Sequence, residues 1–427
     1  MRVALINTMD LKGGAARAAY RLHKGLRANG VDSTYYVRDQ TRNDLTIRRF
    51  VPDPAPAAKA HRDASKGARD AAYNAYATTR SADIELFSQE WVDGDENFFV
   101  QMPRADIINL HWVAGFVDYP TFFSARVRQP VVWTLHDMNP FTGGCHYDQE
   151  CGKYKTSCAA CPLLGTEQTD DLSHKVFASK ADIFQKWPAR RLKIVTPSRW
   201  LAKEAKASAL FGKFEATVIP NGLETDVFKP MDKSAARAAL KLPQDATIVL
   251  FVSNHLRLAR KGFRELVHAL SLLPDLNNLL LVGVGDSHIL SVETPFKVTQ
   301  IEHVNDDATT AMIYAAADVM AIPSRQDNLP NTILESLSCG TPVVGFNIGG
   351  IPDVVCEDET GFLAPGGNVP GLSVAFMKAL ADRDHLRACG ERGRALMQRD
   401  YSLEVQAKAY GAFYAETLAD AARFGSS

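Results

Sequence analysis

Two acidic residues frame the run Asp327-Asn328-Leu329-Pro330-Asn331-Thr332-Ile333-Leu334-Glu335, with seven residues between them. A loop carboxylate accepts hydrogen bonds from sugar hydroxyls, and one on a helix can hold both hydroxyls of a ribose. The run follows the apolar stretch Val319–Ile322 and Pro323-Ser324, which puts Asp327 in the loop at the carboxyl end of a strand. Ligands of open α/β sheets bind in that region. Asn331 or Thr332 suits the N-cap of a short helix that runs to about Cys339 and closes at Gly340, with Glu335 in its first turns. Backbone N–H groups of the turn through Asn328, Leu329, Asn331 and Thr332 are then placed to meet a diphosphate. Spacing alone is equally consistent with an exposed acidic loop and a helix Glu favoured by the macrodipole.

A diphosphate needs cations. Ser253-Asn254-His255-Leu256-Arg257-Leu258-Ala259-Arg260-Lys261-Gly262 follows the apolar stretch Thr247–Val252 and offers Arg257, Arg260 and Lys261, the arginines also being consistent with a solvated loop. Near the start of the chain, Gly13-Gly14 separates a first strand from a first helix, where a ligand can approach backbone closely. The Gly-x-Gly-x-x-Gly spacing of a dinucleotide site is absent, so a structural turn explains the pair equally well. His136 ends the stretch Val131–Leu135, and Ser198 suits a helix cap. No Ser/His/Asp or Cys/His nucleophile set stands out. Cys145, Cys151, Cys158 and Cys161 cluster with a Cys-x-x-Cys pair at zinc-knuckle spacing; a structural Zn²⁺, disulfides and free thiols are the three readings. Cys339, Cys356 and Cys389 read as dispersed packing residues.

These residues need a frame. Short apolar strands alternate with helical stretches along the chain, the pattern of parallel sheets covered by helices on both faces. The first series is Val3–Asn7, Val31–Val37, Ile107–Leu110, Val131–Leu135 and Ile194–Thr196. A second is Thr217–Ile219, Thr247–Val252, Asn278–Val282, Lys297–Ile301, Val319–Ile322 and Pro342–Phe346. Ala15, Ala18, Ala19, Leu22 and Leu26 fall on one face of a helix closed by Asn29-Gly30. Ala57–Asn74 reads as an inserted helix with a solvated basic face, Lys59, Arg62, Lys66 and Arg69, that supports docking on an anionic surface only weakly. Turn residues Pro220-Asn221-Gly222 mark a domain boundary, and Leu403–Phe424 reads as a long helix.

Composition narrows the class. The 427 residues exceed one ordinary core, so two domains are expected. Lys+Arg (48) nearly balances Asp+Glu (49), which argues against a general nucleic-acid binder. No apolar run approaches the ~18 residues that span a bilayer, and the N-terminus reads as a strand, so cytoplasmic residence is the expectation.

The run Ser324–Val344 as a whole resembles the donor-binding segment of the retaining glycosyltransferase family 4, of the GT-B fold, with its paired acids and the entry Cys339-Gly340-Thr341-Pro342-Val343. Asp327 stands where that family usually carries Glu. Val218-Ile219-Pro220-Asn221-Gly222-Leu223 resembles its interdomain linker, and Gly349-Gly350-Ile351-Pro352-Asp353 with Thr360-Gly361 resembles the segments after the acidic motif. The resemblance implies an α/β chain of two doubly wound Rossmann-like domains facing across a cleft. Residues 1–217 form the acceptor side, with a helical insertion at 52–80 and a Cys-rich loop at 139–165; residues 218–401 bind the nucleotide sugar; residues 402–427 form a helix that packs back toward the first domain.

In that reading Lys261 takes the family's diphosphate-gripping Lys position, while His255 occupies the usual Arg position, so that Arg257 or Arg260 substitutes. His136 faces the donor sugar. His136, Lys261, Asp327 and Glu335 form the catalytic set, and Gly13, Gly14, Asn254, His255, Arg257, Arg260, Asn328, Leu329, Asn331 and Thr332 complete the donor site. The reaction implied is same-face, retaining hexosyl transfer from a UDP- or GDP-sugar to a glycan or lipid-linked glycan, in polysaccharide assembly. It requires no metal for catalysis and no nucleic acid, and it allows peripheral association with the inner face of the cytoplasmic membrane. Acceptor contacts are expected from first-domain loops such as Asn109–Tyr119 and from the inserted helix. Similar Cys-bearing loops occur in bacterial polysaccharide glycosyltransferases. The alternatives are a nucleotide-sugar epimerase or hydrolase of the same fold, and a non-catalytic, zinc-braced binding module.

Overall fold

The computed structural model describes all residues except 125, 257, 287–292, 303, 305 and 425–427. The chain divides into two compact units, Met1–Pro220 joined by the segment from Ala407, and Asn221–Gln406.

The first unit is built on a parallel sheet of seven strands: β1 (Arg2–Met9), β2 (Asp32–Asp39), β3 (Ile47–Arg49), β4 (Ile107–Leu110), β5 (Val131–Thr134), β6 (Leu192–Thr196) and β7 (Glu215–Val218). Their order is β3-β2-β1-β4-β5-β6-β7. β4 and β5 are buried at every position, which is why they read as unbroken apolar runs without alternation. The helix Gly14–Ala28 lays Ala18, Ala19, Leu22 and Leu26 on the sheet, at the spacing expected of one helical face. On the other side an aromatic core forms around Trp133, Phe123, Phe184 and Phe211. Tyr410 and Tyr414, from the terminal helix, bury their rings in this unit. The Tyr414 hydroxyl accepts from Asn109 Nδ2 at 2.7 Å, and the Tyr410 hydroxyl lies 3.0 Å from Thr134 Oγ1.

The second unit has a parallel sheet of six strands: β8 (Thr247–Val252), β9 (Leu279–Val284), β10 (Lys297–Ile301), β11 (Val319–Ile322), β12 (Val343–Asn347) and β13 (Gly361–Pro365), ordered β10-β9-β8-β11-β12-β13. In each sheet the strand order reverses once, between β1 and β4 and between β8 and β11. A crevice opens at the carboxyl ends of such strand pairs, because the helices that follow them leave to opposite faces.

Three expectations need correction. The segment grouped with the second series as Thr217–Ile219 is β7, paired with β6 through Thr196↔Val218, and it ends the first sheet. Strands β3 and β13 were not anticipated. The helix Pro56–Asn74 does not present all four basic residues to water: Arg62 pairs with Asp95 at 3.4 Å and the Arg69 guanidinium stacks over the Trp91 ring, while Lys59 and Lys66 stay exposed. Ala58, Arg62, Ser65, Arg69 and Tyr73 recur at helical spacing, so long cationic stems form the inward face.

Candidate active site

In the second unit the loops after β8 and β11 bring oppositely charged groups together. Residues Ala259–Lys261 form one tight turn, and Gly262 follows in the left-handed region at φ 75°. A Cβ at Gly262 would lie 1.8 Å from the Pro323 carbonyl oxygen, so only glycine lets this turn rest on the loop after β11. Arg325 N–H donates to the Arg260 carbonyl at 2.8 Å, and Arg260 Nη1 donates to the Gln326 carbonyl at 2.8 Å. The turn therefore presents its cations to Asp327. Lys261 Nζ lies 2.5 Å from Asp327 Oδ2, Arg260 Nη1 lies 3.4 Å from Oδ1, and Ser324 Oγ donates to Oδ2 at 3.1 Å. Burial raises the Asp327 carboxyl, but Lys261 and Arg260 outweigh it and hold the group below the ordinary carboxylate range. Arg260 is buried and bonded within this cluster and is not part of a solvated loop. Asn254 and His255 are exposed, and Arg257 lies outside the described residues.

The helix that carries Glu335 spans Asn331–Ser338, and its N-cap is Pro330 with no side-chain cap. Neither Asn331 nor Thr332 caps it: Asn331 is already inside the helix, where its Oδ1 accepts from Asn221 Nδ2 at 3.3 Å. Glu335 is buried, and its Oε2 accepts from the Tyr314 hydroxyl at 3.0 Å. Asn328 is buried beside Asp327, and the Leu329 side chain belongs to the core, leaving only its backbone for a ligand. At the start of this helix the Ile333 N–H donates to the Pro330 carbonyl at 3.1 Å.

In the first unit, Gly13 takes φ 92° at the N-terminus of the helix begun by Gly14, and no atom lies within 4 Å of the Cβ position it lacks. The loop is anchored by buried Asp10, which accepts from Thr41 N–H at 2.7 Å and Arg42 N–H at 2.8 Å. At the carboxyl edge of β4 and β5, His111 Nδ1 lies 3.0 Å from His136 Nε2, and the two rings stack. Burial lowers His136 to about 4, with Asp137 opposing, and burial together with His136 drives His111 well below its usual range. Ser198 caps the helix Arg199–Ala207 by accepting from Leu201 N–H, which is the structural role.

Sequence reasoning missed His111, Tyr314 and Ser324. It also missed a Ser/His/Asp chain: Ser88 Oγ lies 2.9 Å from His146 Nε2, and His146 Nδ1 lies 2.6 Å from Asp137 Oδ2. Asp137 also accepts from Trp112 Nε1 at 2.9 Å and Asn139 N–H at 2.9 Å. The N–H groups of Ser88 and Gly144 are engaged, by the Gly144 carbonyl and Thr142 Oγ1, so they offer no oxyanion hole there. The chain braces the Cys-rich loop against the edge that carries His136. His111-Trp112 and His136-Asp137 close adjacent strands in the same way, and that likeness was the readable signal.

Cys145, Cys151, Cys158 and Cys161 line one pocket with Phe87 and Tyr154, and all four are free thiols. Burial raises the Cys158 thiol to about 12, and its sulfur accepts the Gly143 N–H at 3.2 Å. Among the described residues no group of three or more His, Cys, Asp or Glu side chains stands where it could hold a metal ion. The four expected zinc ligands line one pocket, and their sulfurs form no disulfide with one another. Cys339 and Cys389 are buried as expected, while Cys356 is exposed. Among the described residues no helix is long and apolar enough to cross a membrane.

Residues 232–396 match the family of glycosyl transferases group 1, and this span contains Arg260, Lys261, Asp327 and Glu335. D-inositol 3-phosphate glycosyltransferase from Segniliparus rotundus is 32% identical over 213 residues, 47% of each chain. The Mycobacterium bovis protein of that name is 32% identical over 190 residues, 42% of this chain and 38% of its own. The chain thus spans about half the length, or less, of these curated relatives. Among solved structures, sucrose-phosphate synthase from Thermosynechococcus elongatus superposes with a TM-score of 0.67 at 21% identity, covering 98% of this chain and 99% of that one. Anabaena HepE, solved with UDP-glucose, reaches 0.64 at 16% identity over 97% and 100%. At such identities the likeness establishes the fold: two doubly wound α/β units of the GT-B type.

Proposed function

We propose that this chain is a retaining glycosyltransferase of the family 4 kind. It takes a sugar from a UDP- or GDP-sugar and transfers it to a glycan or lipid-linked glycan acceptor in polysaccharide assembly. The observation that carries the reading is the Arg260–Lys261–Asp327 cluster at the strand reversal of the second sheet, inside the segment matched by the glycosyltransferase family. Two cations compensated by one buried carboxylate leave a net positive charge, which suits a diphosphate. The UDP-glucose bound by the Anabaena neighbour supports the donor class.

Lys261 and Arg260 then grip the diphosphate, N–H groups at the start of the helix Asn331–Ser338 assist them, and Glu335 holds the ribose. In the transfer the bond from the anomeric carbon to the β-phosphate oxygen breaks. The acceptor oxygen bonds that carbon on the same face, and the acceptor's proton passes to the departing phosphate. The growing phosphate charge is the quantity to be stabilised, and fixed cations do so without reorganising. His136 orients the donor sugar.

A thermal-shift panel of UDP, GDP, ADP and their sugar conjugates, in EDTA and in Mg²⁺, tests the reading, because a ligand of the native state raises its stability. One nucleotide class should stabilise the protein in EDTA, and Lys261→Ala should abolish the shift. No shift with any nucleotide under either condition would overturn the proposal.

A further inference from the structure

His111 and His136 stand just beyond the ends of β4 and β5, paired strands in which Leu110 lies opposite Trp133. The His111 ring is buried, 3% exposed, and its Nδ1 lies 3.0 Å from His136 Nε2. One proton serves that contact, so one nitrogen donates and the other accepts. The second His111 nitrogen, Nε2, is buried with no hydrogen-bond partner among the described residues. A buried N–H without an acceptor is rarer in folded proteins than a bare acceptor, so Nε2 is the bare nitrogen and the proton resides on Nδ1. His111 therefore donates to His136 Nε2. A neutral His136 that accepts at Nε2 must carry its own proton on Nδ1.

The charged neighbours leave this arrangement intact. Asp137 is the carboxylate nearest His136 in sequence, and its oxygens are occupied by His146, Trp112 and the Asn139 N–H. His111 is buried and His136 half-buried, and the loss of hydration disfavours the doubly protonated pair. We propose that His111 is a positioning residue that fixes His136 as a neutral Nδ1–H donor, the form suited to a sugar hydroxyl or a phosphate oxygen and unsuited to proton abstraction from Nδ1. The ligand class rests on the function proposed above; the tautomer does not.

Long-range ¹H–¹⁵N correlation spectra of the full chain with ¹⁵N-labelled histidine, recorded without ligand at neutral pH, read the tautomer directly. The expected result is His136 with a protonated Nδ1 and a bare Nε2, and His111 protonated at Nδ1. In His111→Asn the amide nitrogen takes the place of Nδ1 and still donates, so His136 should keep its signature. In His111→Leu the donor is gone, and His136 should move to the Nε2–H form or to a mixture. A wild-type His136 carrying its proton on Nε2 would overturn the proposal, and so would an unchanged His136 signature in His111→Leu. If the Leu variant does not fold, the wild-type spectrum decides. The expected spectrum in a protein that no nucleotide stabilises would uphold the tautomer assignment and sink the proposed function.

Discussion

Lys261 Nζ stands 2.5 Å from Asp327 Oδ2, while Arg260 faces the other oxygen of the same buried carboxylate at 3.4 Å. Two cations from one turn are thus held ready by a countercharge that belongs to the fold. Removing one partner of a buried ion pair leaves an uncompensated charge; removing Lys261 and Asp327 together leaves only Arg260 without its carboxylate. The site therefore has a stability signature separate from its chemistry.

Lys261→Met should destabilise the chain by about 2 kcal/mol, below the ~3–5 kcal/mol for a wholly orphaned buried charge, because Arg260 remains. Asp327→Asn should cost more than Lys261→Met, because it takes the countercharge from buried Arg260 as well as from Lys261. The double variant should be more stable than the sum of the two losses by more than about 1 kcal/mol. Urea denaturation of the four proteins measures this, and strict additivity would mean the pair is not coupled in solution.

Glu335 yields a prediction about the ribose. Hydrogen bonds to a charged group are worth about 1.5–3 kcal/mol, roughly 10–100-fold in affinity. If Glu335 holds the ribose, the protein should bind the preferred nucleoside diphosphate that much more tightly than its 2′,3′-dideoxy analogue. Glu335→Gln should narrow the gap. Calorimetric titration reads both numbers, and equal affinities in the parent protein would remove Glu335 from the site.

The frame of this site was legible in the sequence for a physical reason. Strands buried on both faces read as unbroken apolar runs, and Ile107–Leu110, Thr247–Val252 and Val319–Ile322 coincide with β4, β8 and β11; Lys297–Ile301 coincides with β10 although that edge strand is only partly buried. The strand Ile47–Arg49 escaped notice because it is three residues long and two of them are arginine, and Gly361–Pro365 because it begins with glycine and ends with proline. Asp327 and Lys261 were readable because chemistry constrains their type and spacing. The partners that hold them were not: Arg260 looked like any loop cation, and Tyr314 meets Glu335 across 21 positions. The His111–His136 contact depends on the register between two strands, which no local pattern encodes.

Acid should unfold this protein earlier than its carboxylates alone require. His23 is buried between Ser33 Oγ and Thr46 Oγ1, each at 2.8 Å. Burial and Arg27 lower it to about 4, with Asp44 opposing. Its folded value lies below the ordinary ~6.5, so the unfolded chain binds the proton first as pH falls. The stability is complete above about pH 6.5 and is lost progressively toward pH 4, on the order of 3 kcal/mol for a shift of that size. His136, also lowered to about 4, adds to the same window. His23→Gln keeps polar partners but cannot titrate, so its melting temperature should fall less than the parent's between pH 6.5 and 4.5. Parallel curves for the two proteins would contradict this.

Lys180 moves stability in the opposite pH range. It is fully buried beneath the Cys-rich loop, and its Nζ donates to the Asn139 carbonyl at 2.6 Å and the Thr142 carbonyl at 3.1 Å. Burial lowers it to about 8, against the pull of Glu90, Cys145, Cys158 and Asp137. The folded value is below the ordinary ~10.4, so the folded chain releases the proton first as pH rises. Below pH 8 both states are charged and the folded state carries the whole penalty of burying the cation. Between about pH 8 and 10.4 the unfolded state binds more protons, and this group's contribution becomes steadily more favourable to folding. Tyrosines and thiols titrate there too, so the comparison that isolates Lys180 is with Lys180→Met, which keeps the stem and removes the proton. The melting temperature of the parent relative to the variant should rise from pH 7.5 to pH 10. A constant difference would mean that Lys180 keeps its charge, with the two loop carbonyls compensating it fully.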